Sequence, residues 1–370
     1  MQIVYPALFF SVIGAGGVFM GSNARSQPQE LEHILSLSEP KLIITNRDAL
    51  PNVLDVSTNK GMLPSQVFVL DESAAEQIAQ LVGSGPVPYL ESGDDNCMNL
   101  AHLLGYGEND WIRFDNEMIA KSTPAALFST SGTGGLPKAA VLSHHAIVSQ
   151  HLTLAYDVPY EVRRLMSLPM FHLFGALWSH IFPIRYGQPL YILPRFEITQ
   201  YLTCMYQYQI TETYMVPAMI HSFNRCKLPV SNYFSFLRYV AVAGAPIDGA
   251  SVQQFREHLA LDAYAAQLWG MTEVGVVFQS RYNEVTNAAS IGRLLPGYEV
   301  RLVGADGNLV AGDNKPGELY VRGSGLLTCY KNREESKDAQ GWFRTGDVAY
   351  VNNGLYYIVG RTKELIKVRG

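Results

Sequence analysis

A Gly/Ser/Thr-rich segment followed by a lysine is the stretch of this sequence best suited to bind an anion. Residues 128–144 read FSTSGTGGLPKAAVLSH, which predicts a strand, a loop, Lys138 and a second short strand. Hydroxyl groups and glycine N–H groups in such a loop can surround a phosphate, and the lysine adds a positive charge. The donors would come from Ser129, Thr130, Ser131, Gly132, Thr133, Gly134 and Gly135. The segment predicts a phosphate site, and an ordinary solvent-exposed turn is the alternative.

The loop does not match the Walker A motif of P-loop nucleotide hydrolases. Pro137 rather than a glycine precedes the lysine, and Ala139 stands where that motif has its magnesium-binding Ser or Thr. A P-loop hydrolase is therefore disfavoured.

Further motifs follow the loop in a fixed order. They are LPMFHLFG (168–175), VAGAPI (242–247), WGMTE (269–273), GELYVRG (317–323), GWFRTGD (341–347) and GRTKELIKVRG (360–370). The whole series resembles that of the adenylate-forming superfamily, and most nearly the acyl-CoA synthetases of the 4-coumarate-CoA ligase type. The motifs alone do not separate CoA ligases from luciferase-like oxidases or peptide-synthetase adenylation domains.

The resemblance implies that a small carboxylic acid reacts with ATP, assisted by Mg²⁺, to give an acyl-AMP and then a CoA thioester. Two anions must meet while pyrophosphate leaves, so electrostatic screening is the main task of such a site. The resemblance assigns residues 130–135 and Lys138 to the β and γ phosphates. The family usually has SGTTG where this chain has SGTGG at 131–135, so one hydroxyl contact is missing.

In WGMTE, the resemblance assigns Glu273 to the magnesium ion and Thr272 to a phosphate, both in catalytic roles beside Lys138. Trp269 stands where the family commonly has a tyrosine that stacks on adenine, and Gly270 would complete this nucleotide contact. An indole keeps a flat apolar surface, so the exchange is tolerable. A Thr-Glu pair taken alone more often marks the start of a helix.

Asp347 in the TGD motif resembles the carboxylate that accepts hydrogen bonds from the ribose hydroxyls. Arg361 would be its partner across the nucleotide. An aspartate in a turn and an exposed arginine are the commoner fates of these residue types. The context GWFRTGD (341–347) favours the functional interpretation.

The resemblance also implies a site for the acid. His172 belongs to an aromatic-rich segment that would gate this site, and we expect it to position the substrate rather than act as a base, since a histidine among apolar residues is commonly a core residue. The predicted lining is largely apolar, which favours an aryl or fatty acid over an amino acid. Its other members are Phe174, Tyr214, Ala243, Gly244, Ala245, Gln267, Leu268 and Met271.

The C-terminal residues resemble the beginning of a lid domain. Lys363 corresponds to the hinge, Lys367 to a catalytic residue of the lid, and Arg369 with Gly370 to CoA contacts. The sequence stops there, before the segment that carries the family's adenylation lysine. The chain also begins later than the family does, so we expect an incomplete domain with impaired catalysis.

The positions of these motifs require an α/β scaffold. Short β-branched or aliphatic runs alternate with helical patterns, as in a mainly parallel sheet. Strands are expected near 41–45, 66–70, 165–168, 189–192, 213–216 and 239–243. After residue 291 the segments shorten and alternate, near 299–303, 317–321, 348–351 and 356–359, as in a small antiparallel barrel or sheet.

We therefore predict two α/β lobes with mainly parallel sheets and a small antiparallel β lobe. The AMP-binding domain would span 1–359, with lobes at about 1–157, 158–285 and 286–359, and 360–370 would be the hinge and lid stub. A helix is expected near 5–13 and buried, another starts at Ser26 or Gln27, and a third is capped by Ser143 and runs to about Tyr156.

Composition limits the other possibilities. The 370 residues are 48% hydrophobic and 16% charged with a net charge of -5, so no basic surface for nucleic acid is indicated. The four cysteines are far apart, which argues against disulfides and zinc. The apolar first twenty residues lack a preceding Lys or Arg and are interrupted by Pro6 and a glycine cluster, so neither a secretory signal nor a membrane span is expected. We predict an intracellular protein, cytoplasmic or peroxisomal, that is not integral to a membrane.

The predicted function is ATP-dependent activation of a hydrophobic carboxylic acid to its CoA thioester. Two alternatives stay open at this stage. One is adenylation for an acceptor other than CoA, and the other is a fragment that binds nucleotide without catalysis.

Overall fold

Strands alternate with helices as far as Arg256, and strands alone follow it in the part of the chain that the structure describes. The computed structural model describes residues 4–70, 97–130, 137–154, 158–280, 282–284, 286–331 and 336–364. The helices are α1 (Tyr5–Gly14), α2 (Pro28–Ser38), α3 (Leu50–Asn59), α4 (Glu117–Ser122), α5 (His144–Leu152), α6 (Leu173–Ala176), α7 (Phe182–Tyr186), α8 (Ile198–Gln207), α9 (Pro217–Asn224), α10 (Val230–Tyr233) and α11 (Gly249–Arg256). A π-turn, Leu177–Ile181, joins α6 to α7, and 3₁₀ turns occur at Pro64–Gln66 and Leu100–Tyr106.

The strands group into separate sheets. In chain order they are β1 (Phe19–Met20), β2 (Ile43–Thr45), β3 (Val67–Val69), β4 (Met98–Asn99), β5 (Pro124–Thr130), β6 (Lys138–Ser143), β7 (Arg164–Met166), β8 (Leu190–Ile192), β9 (Glu212–Met215), β10 (Tyr239–Val242), β11 (Tyr264–Met271), β12 (Gly275–Gln279), β13 (Arg293–Leu294), β14 (Tyr298–Val303), β15 (Gly317–Gly323), β16 (Cys329–Tyr330), β17 (Phe343–Asn352) and β18 (Leu355–Arg361).

The largest sheet has seven strands in the order β13-β12-β11-β10-β9-β7-β8. The strands from β11 to β8 are parallel, and β12 and β13 add an antiparallel edge. Every side chain of β9 and β10 is buried, as expected for central strands that are covered on both faces. The strands predicted from the sequence in this region are confirmed, but β11 and β12 were not predicted.

The antiparallel region also forms as predicted, as a four-stranded sheet in the order β14-β15-β17-β18. A second four-stranded sheet has the order β1-β5-β6-β16, and β2, β3 and β4 form a small parallel one. β16 lies within 286–359 yet pairs with β6, and β13 of the same range pairs with β12. Strand pairing therefore crosses the predicted lobe boundaries, which themselves stay a prediction.

The predicted helix starts are confirmed by their caps. At α2, the backbone N–H of Gln27 donates to the Glu30 carboxylate over 3.1 Å, which is half of a capping box. At α5, the Ser143 hydroxyl accepts from the N–H of Ala146 at 3.1 Å. α5 ends at Leu152, earlier than the predicted end near Tyr156.

α1 has the predicted bounds to within a residue, but it is less buried than expected. Of its side chains only that of Phe9 is fully enclosed, and most of the others are half-buried or exposed. No helix among the described residues is both long and apolar enough to span a bilayer.

A buried ion pair holds two central strands of the large sheet together. Arg164 on β7 and Glu212 on β9 are register partners, both without solvent exposure, and an Nη2–Oε2 contact of 3.0 Å joins them. The Tyr160 hydroxyl donates to the other oxygen of Glu212 at 2.7 Å. The packing of Trp178, Phe182 and Tyr214 around the guanidinium completes this polar cluster within the core.

Candidate functional site

The strands before and after the predicted phosphate loop pair with each other in antiparallel fashion. β5 and β6 pair along their length, and Thr130 at the end of one strand faces Lys138 at the start of the other. The structure thus brings both residues to the base of the loop, as a phosphate site requires. The other predicted loop residues, Ser131, Gly132, Thr133, Gly134 and Gly135, lie outside the described residues.

Tyr330 on β16 connects the lysine of this hairpin to Glu273. Its hydroxyl donates to Glu273 Oε1 over 2.8 Å, and Lys138 Nζ lies 4.8 Å from the centre of its ring. Sequence reasoning missed this residue, because no motif includes it. It reaches the site only because β16 pairs with β6, where Tyr330 is opposite Ala140.

Thr272 and Glu273 lie at the turn between β11 and β12, not at the start of a helix. The two strands approach closely at this turn. A Cβ added at Gly270 would lie 2.3 Å from the Gly275 carbonyl oxygen, which leaves room only for glycine. Gly275 has a φ of +75°, which favours glycine, and Gln150 packs against it. Two glycines in the sequence therefore allow the hairpin that projects Glu273 toward Tyr330.

The Glu273 carboxylate is buried, with 6% of the residue exposed. Burial raises its pKa, while the Tyr330 hydroxyl and the charges of Lys138 and Arg361 act in the opposite direction. The described residues contain no group of three or more His, Cys, Asp or Glu side chains that could hold a metal ion. One carboxylate near a phosphate loop nevertheless fits Mg²⁺, which keeps several waters and is commonly held by one or two carboxylates together with substrate phosphates.

Asp347 and Arg361 contact each other directly, and their predicted arrangement across a nucleotide stays a prediction. They are register partners on β17 and β18, and Arg361 Nε lies 3.1 Å from Asp347 Oδ1. The N–H of Asp347 donates to the Thr345 hydroxyl oxygen at 3.0 Å, which holds the backbone at this point. Burial raises the pKa of the Asp347 carboxyl, and its hydrogen-bond partners offset part of that rise.

Trp269 contacts Asp347 directly. The indole N–H donates to Asp347 Oδ2 over 2.9 Å, and the ring packs at 5.7 Å from Phe278. Only 9% of Trp269 is exposed. Its stacking on adenine stays a prediction, and the structure adds a contact that the sequence did not suggest. The next residue, Gly270, is exposed at a register shift in β11.

Most of the predicted acid-site residues lie at the carboxyl ends of neighbouring strands or just after them. Ala243, Gly244 and Ala245 follow β10, Leu268 and Met271 belong to β11, and His172 and Phe174 lie at the start of α6. Gly244 and Ala245 are exposed, and Phe174 is half-buried. His172 is exposed beside Phe171, which agrees with a position at the edge of a site rather than in the core.

Two predicted lining residues are engaged elsewhere. Tyr214 is fully buried, stacks on Trp178 at 4.2 Å and meets Phe174 edge-on at 6.1 Å, so it supports Phe174 from behind and offers no open surface. The Gln267 amide donates to the Ala288 carbonyl at 2.8 Å. The strand of Tyr214 was predicted and that of Gln267 was not, and the direction of both side chains depends on packing.

The predicted hinge follows β18 directly. Lys363 lies in a turn, and the preceding Thr362 N–H donates to the Gly346 carbonyl at 2.8 Å, close to Asp347. Lys367, Arg369 and Gly370 lie outside the described residues.

Comparisons with known proteins agree with this arrangement. A nicotinic acid-CoA ligase of Aspergillus fumigatus is 51% identical over 378 residues, which cover 100% of this chain and 65% of the relative. A nicotinic acid-CoA ligase of Penicillium canescens is 50% identical, with 100% and 68% covered. The chain thus spans about two thirds of the length of these relatives.

Solved structures share the fold. ATP-bound MatB from Rhodopseudomonas palustris superposes with a TM-score of 0.79 at 21% identity, covering 99% of this chain and 68% of that one. The family model described as "AMP-binding enzyme" matches residues 1–331, which include the phosphate loop, the Thr272-Glu273 turn and Tyr330. The chain belongs to the AMP-binding enzyme family, within the adenylate-forming superfamily.

Proposed function

We propose that this chain takes part in ATP-dependent activation of a carboxylic acid, giving an acyl-AMP and then a CoA thioester. The observation that carries the proposal is the convergence of two polar groups of residues. Lys138, Tyr330 and Glu273 form the first, and Trp269, Asp347 and Arg361 form the second. The hairpin of β11 and β12 carries Glu273 of the first group and Trp269 of the second. The regions proposed for the phosphates and for the ribose are therefore adjacent.

In the first step, a carboxylate oxygen of the acid attacks the α-phosphorus of ATP. A new P–O bond forms, the bond to the β-phosphate oxygen breaks, and pyrophosphate leaves. Lys138 and the loop would hold the β and γ phosphates, so that negative charge is neutralised where it accumulates. Mg²⁺, held by Glu273 and the phosphates, would supply further positive charge at this point.

In the second step, the CoA thiolate attacks the acyl carbonyl carbon, and AMP leaves with the electrons of the C–O bond. Asp347 and Arg361 would hold the ribose through both steps. The acyl-AMP formed in the first step would then stay in place for the second. The buried setting strengthens these contacts, since water competes with them less.

We further propose an aromatic carboxylic acid as the substrate. Phe174, backed by Tyr214 and Trp178, offers an apolar surface that suits a planar ring. The relatives named for nicotinic acid support an aryl acid rather than a fatty acid. The four cysteines are free thiols, which supports an intracellular, reducing location.

Nucleotide binding tests the proposal. Asp347→Ala removes a charge-assisted contact to the ribose, worth roughly 1.5–3 kcal/mol, so we expect a loss of about ten- to a hundred-fold in affinity for Mg-ATP. Calorimetry on the folded variant measures this loss. Unchanged affinity would refute the role of Asp347.

The substrate class is tested by thermal shift in the presence of Mg-ATP. A ligand that binds only the native state raises the unfolding temperature by mass action. We expect stabilisation by benzoate and nicotinate and none by amino acids. Stabilisation by amino acids alone would favour an adenylation domain that serves another acceptor.

A further inference from the structure

The indole N–H of Trp269 donates a hydrogen bond to one oxygen of Asp347, and Arg361 forms an ion pair with the other. We propose that Trp269 is a positioning residue, which orients the Asp347 carboxylate toward the two ribose hydroxyls of the nucleotide. This inference rests on the proposed function, because it requires a ribose at Asp347. It gives Trp269 a role that acts through the aspartate and does not depend on contact with adenine.

The number of acceptor positions on a carboxylate supports this role. An ionised carboxylate offers about four lone-pair positions, two on each oxygen. The Trp269 N–H takes one position on Oδ2 at 2.9 Å, and Arg361 forms an ion pair with Oδ1 at 3.1 Å. At least one position then remains on each oxygen. Two adjacent hydroxyl donors, as in the cis-diol of a ribose, match that remaining pair.

The direction of the Trp269 bond is fixed by chemistry. The indole N–H can only donate a hydrogen bond, so its partner must be an Asp347 oxygen that accepts one. A donor bond of this kind favours the ionised form of the carboxyl, which burial alone would disfavour. Trp269 therefore favours both the orientation and the ionised form of Asp347 that a ribose contact requires.

Packing makes the arrangement rigid. Trp269 is 9% exposed and packs against Phe278, and Asp347 is 6% exposed. The two residues lie 78 positions apart, on β11 of the seven-stranded sheet and β17 of the antiparallel sheet. Their hydrogen bond thus joins the two sheets at the nucleotide site, so the carboxylate is aligned before any ligand arrives.

The test compares two nucleotides in one variant. Trp269→Phe keeps an aromatic ring but removes the N–H. We expect the affinity for Mg-ATP to fall by about ten-fold, as for loss of a bond to a charged group. The affinity for 2′,3′-dideoxy-ATP, which lacks both hydroxyls, should stay unchanged, so the preference of the wild type for ATP should shrink in the variant. Trp111→Phe, the same exchange at a residue that is 61% exposed, is the matched control and should change neither affinity.

A double-mutant cycle with Asp347→Asn gives a second readout. If Trp269 acts through the carboxylate, Trp269→Phe should have no further effect on ATP binding in the Asp347→Asn background. Trp269→Met, which has no hydrogen-bond donor in its side chain, replaces Trp269→Phe if the latter does not fold, and the same results are expected.

Equal losses for both nucleotides in Trp269→Phe would overturn the inference and leave an adenine platform as the role of this ring, with the proposed function intact. Additive effects in the cycle would overturn it as well. A wild-type chain that binds ATP and the dideoxy nucleotide with equal affinity would show that the ribose hydroxyls are not recognised at this site. A wild-type chain that binds neither nucleotide would refute the proposed function itself.

Discussion

Asp347 combines opposing influences on one carboxyl group. Burial disfavours its charge, whereas the Trp269 N–H and the Arg361 guanidinium favour it. Burial is the larger influence, so the pKa of the folded protein lies above the ordinary value of 3.8. A group of this kind costs stability when it ionises, and such a cost at a functional site is typical of binding residues.

This shift predicts a pH dependence of stability. Because the pKa of Asp347 is higher in the folded than in the unfolded chain, its contribution to stability is fully present below the unfolded value and is lost as the pH rises through the folded value. Asp347→Asn does not titrate. We therefore expect the stability of the wild type, measured relative to Asp347→Asn, to fall as the pH rises from about 4 toward neutrality.

Denaturant unfolding of both proteins across this pH range measures the difference. Trp269→Phe should raise the pKa of Asp347 further and move the fall to higher pH. A wild type that gains stability relative to Asp347→Asn as the pH rises would contradict the assignment.

At the scale of elements, a two-residue strand completes the site. β16 consists of Cys329 and Tyr330, and its pairing with β6 sets Tyr330 between Lys138 and Glu273. The hairpin of β5 and β6 supplies the lysine, and the hairpin of β11 and β12 supplies the glutamate. Elements from three parts of the chain thus meet at one aromatic ring.

Tyr330→Phe tests this convergence. The variant keeps the ring beneath Lys138 but removes the hydroxyl that donates to Glu273. Loss of a hydrogen bond to a buried carboxylate should weaken Mg-ATP binding by about ten-fold. We expect much less effect on ATP without the metal ion, since Glu273 contributes favourably only when a cation is present.

Calorimetry with and without magnesium gives both affinities. Tyr106→Phe, at a residue that is 73% exposed, removes a tyrosine hydroxyl that takes no part in these contacts and serves as the control. Equal losses with and without magnesium would argue that Tyr330 acts on Lys138 or on packing, and not through Glu273.

At the scale of the whole molecule, the residues proposed to hold the phosphates and the ribose lie on different sheets. Lys138 belongs to the sheet of β5 and β6, Trp269 to the seven-stranded sheet and Asp347 to the antiparallel sheet. A nucleotide bound among them would contact all three. Exclusion of water from such a site strengthens each charge interaction within it.

The sequence by itself determined the family, the order of the motifs and much of the local structure. The strands on either side of the predicted phosphate loop and the helix caps at Gln27 and Ser143 were predicted. Each depends on local signals: alternation of apolar residues, capping residues next to a helical pattern, or a motif of contiguous residues. Such signals lie within a few residues of the feature that they specify.

Tertiary structure decided the contacts between distant segments. Tyr330 reaches Glu273 across 57 positions and Trp269 reaches Asp347 across 78, and no local period encodes either contact. The same holds for Tyr214, whose strand was predicted, and for Gln267, whose strand was not: the direction of both side chains is set by packing. Which strands pair, and which face of a strand meets the site, depends on burial of the whole set of apolar surfaces at once, and only the folded chain satisfies that condition.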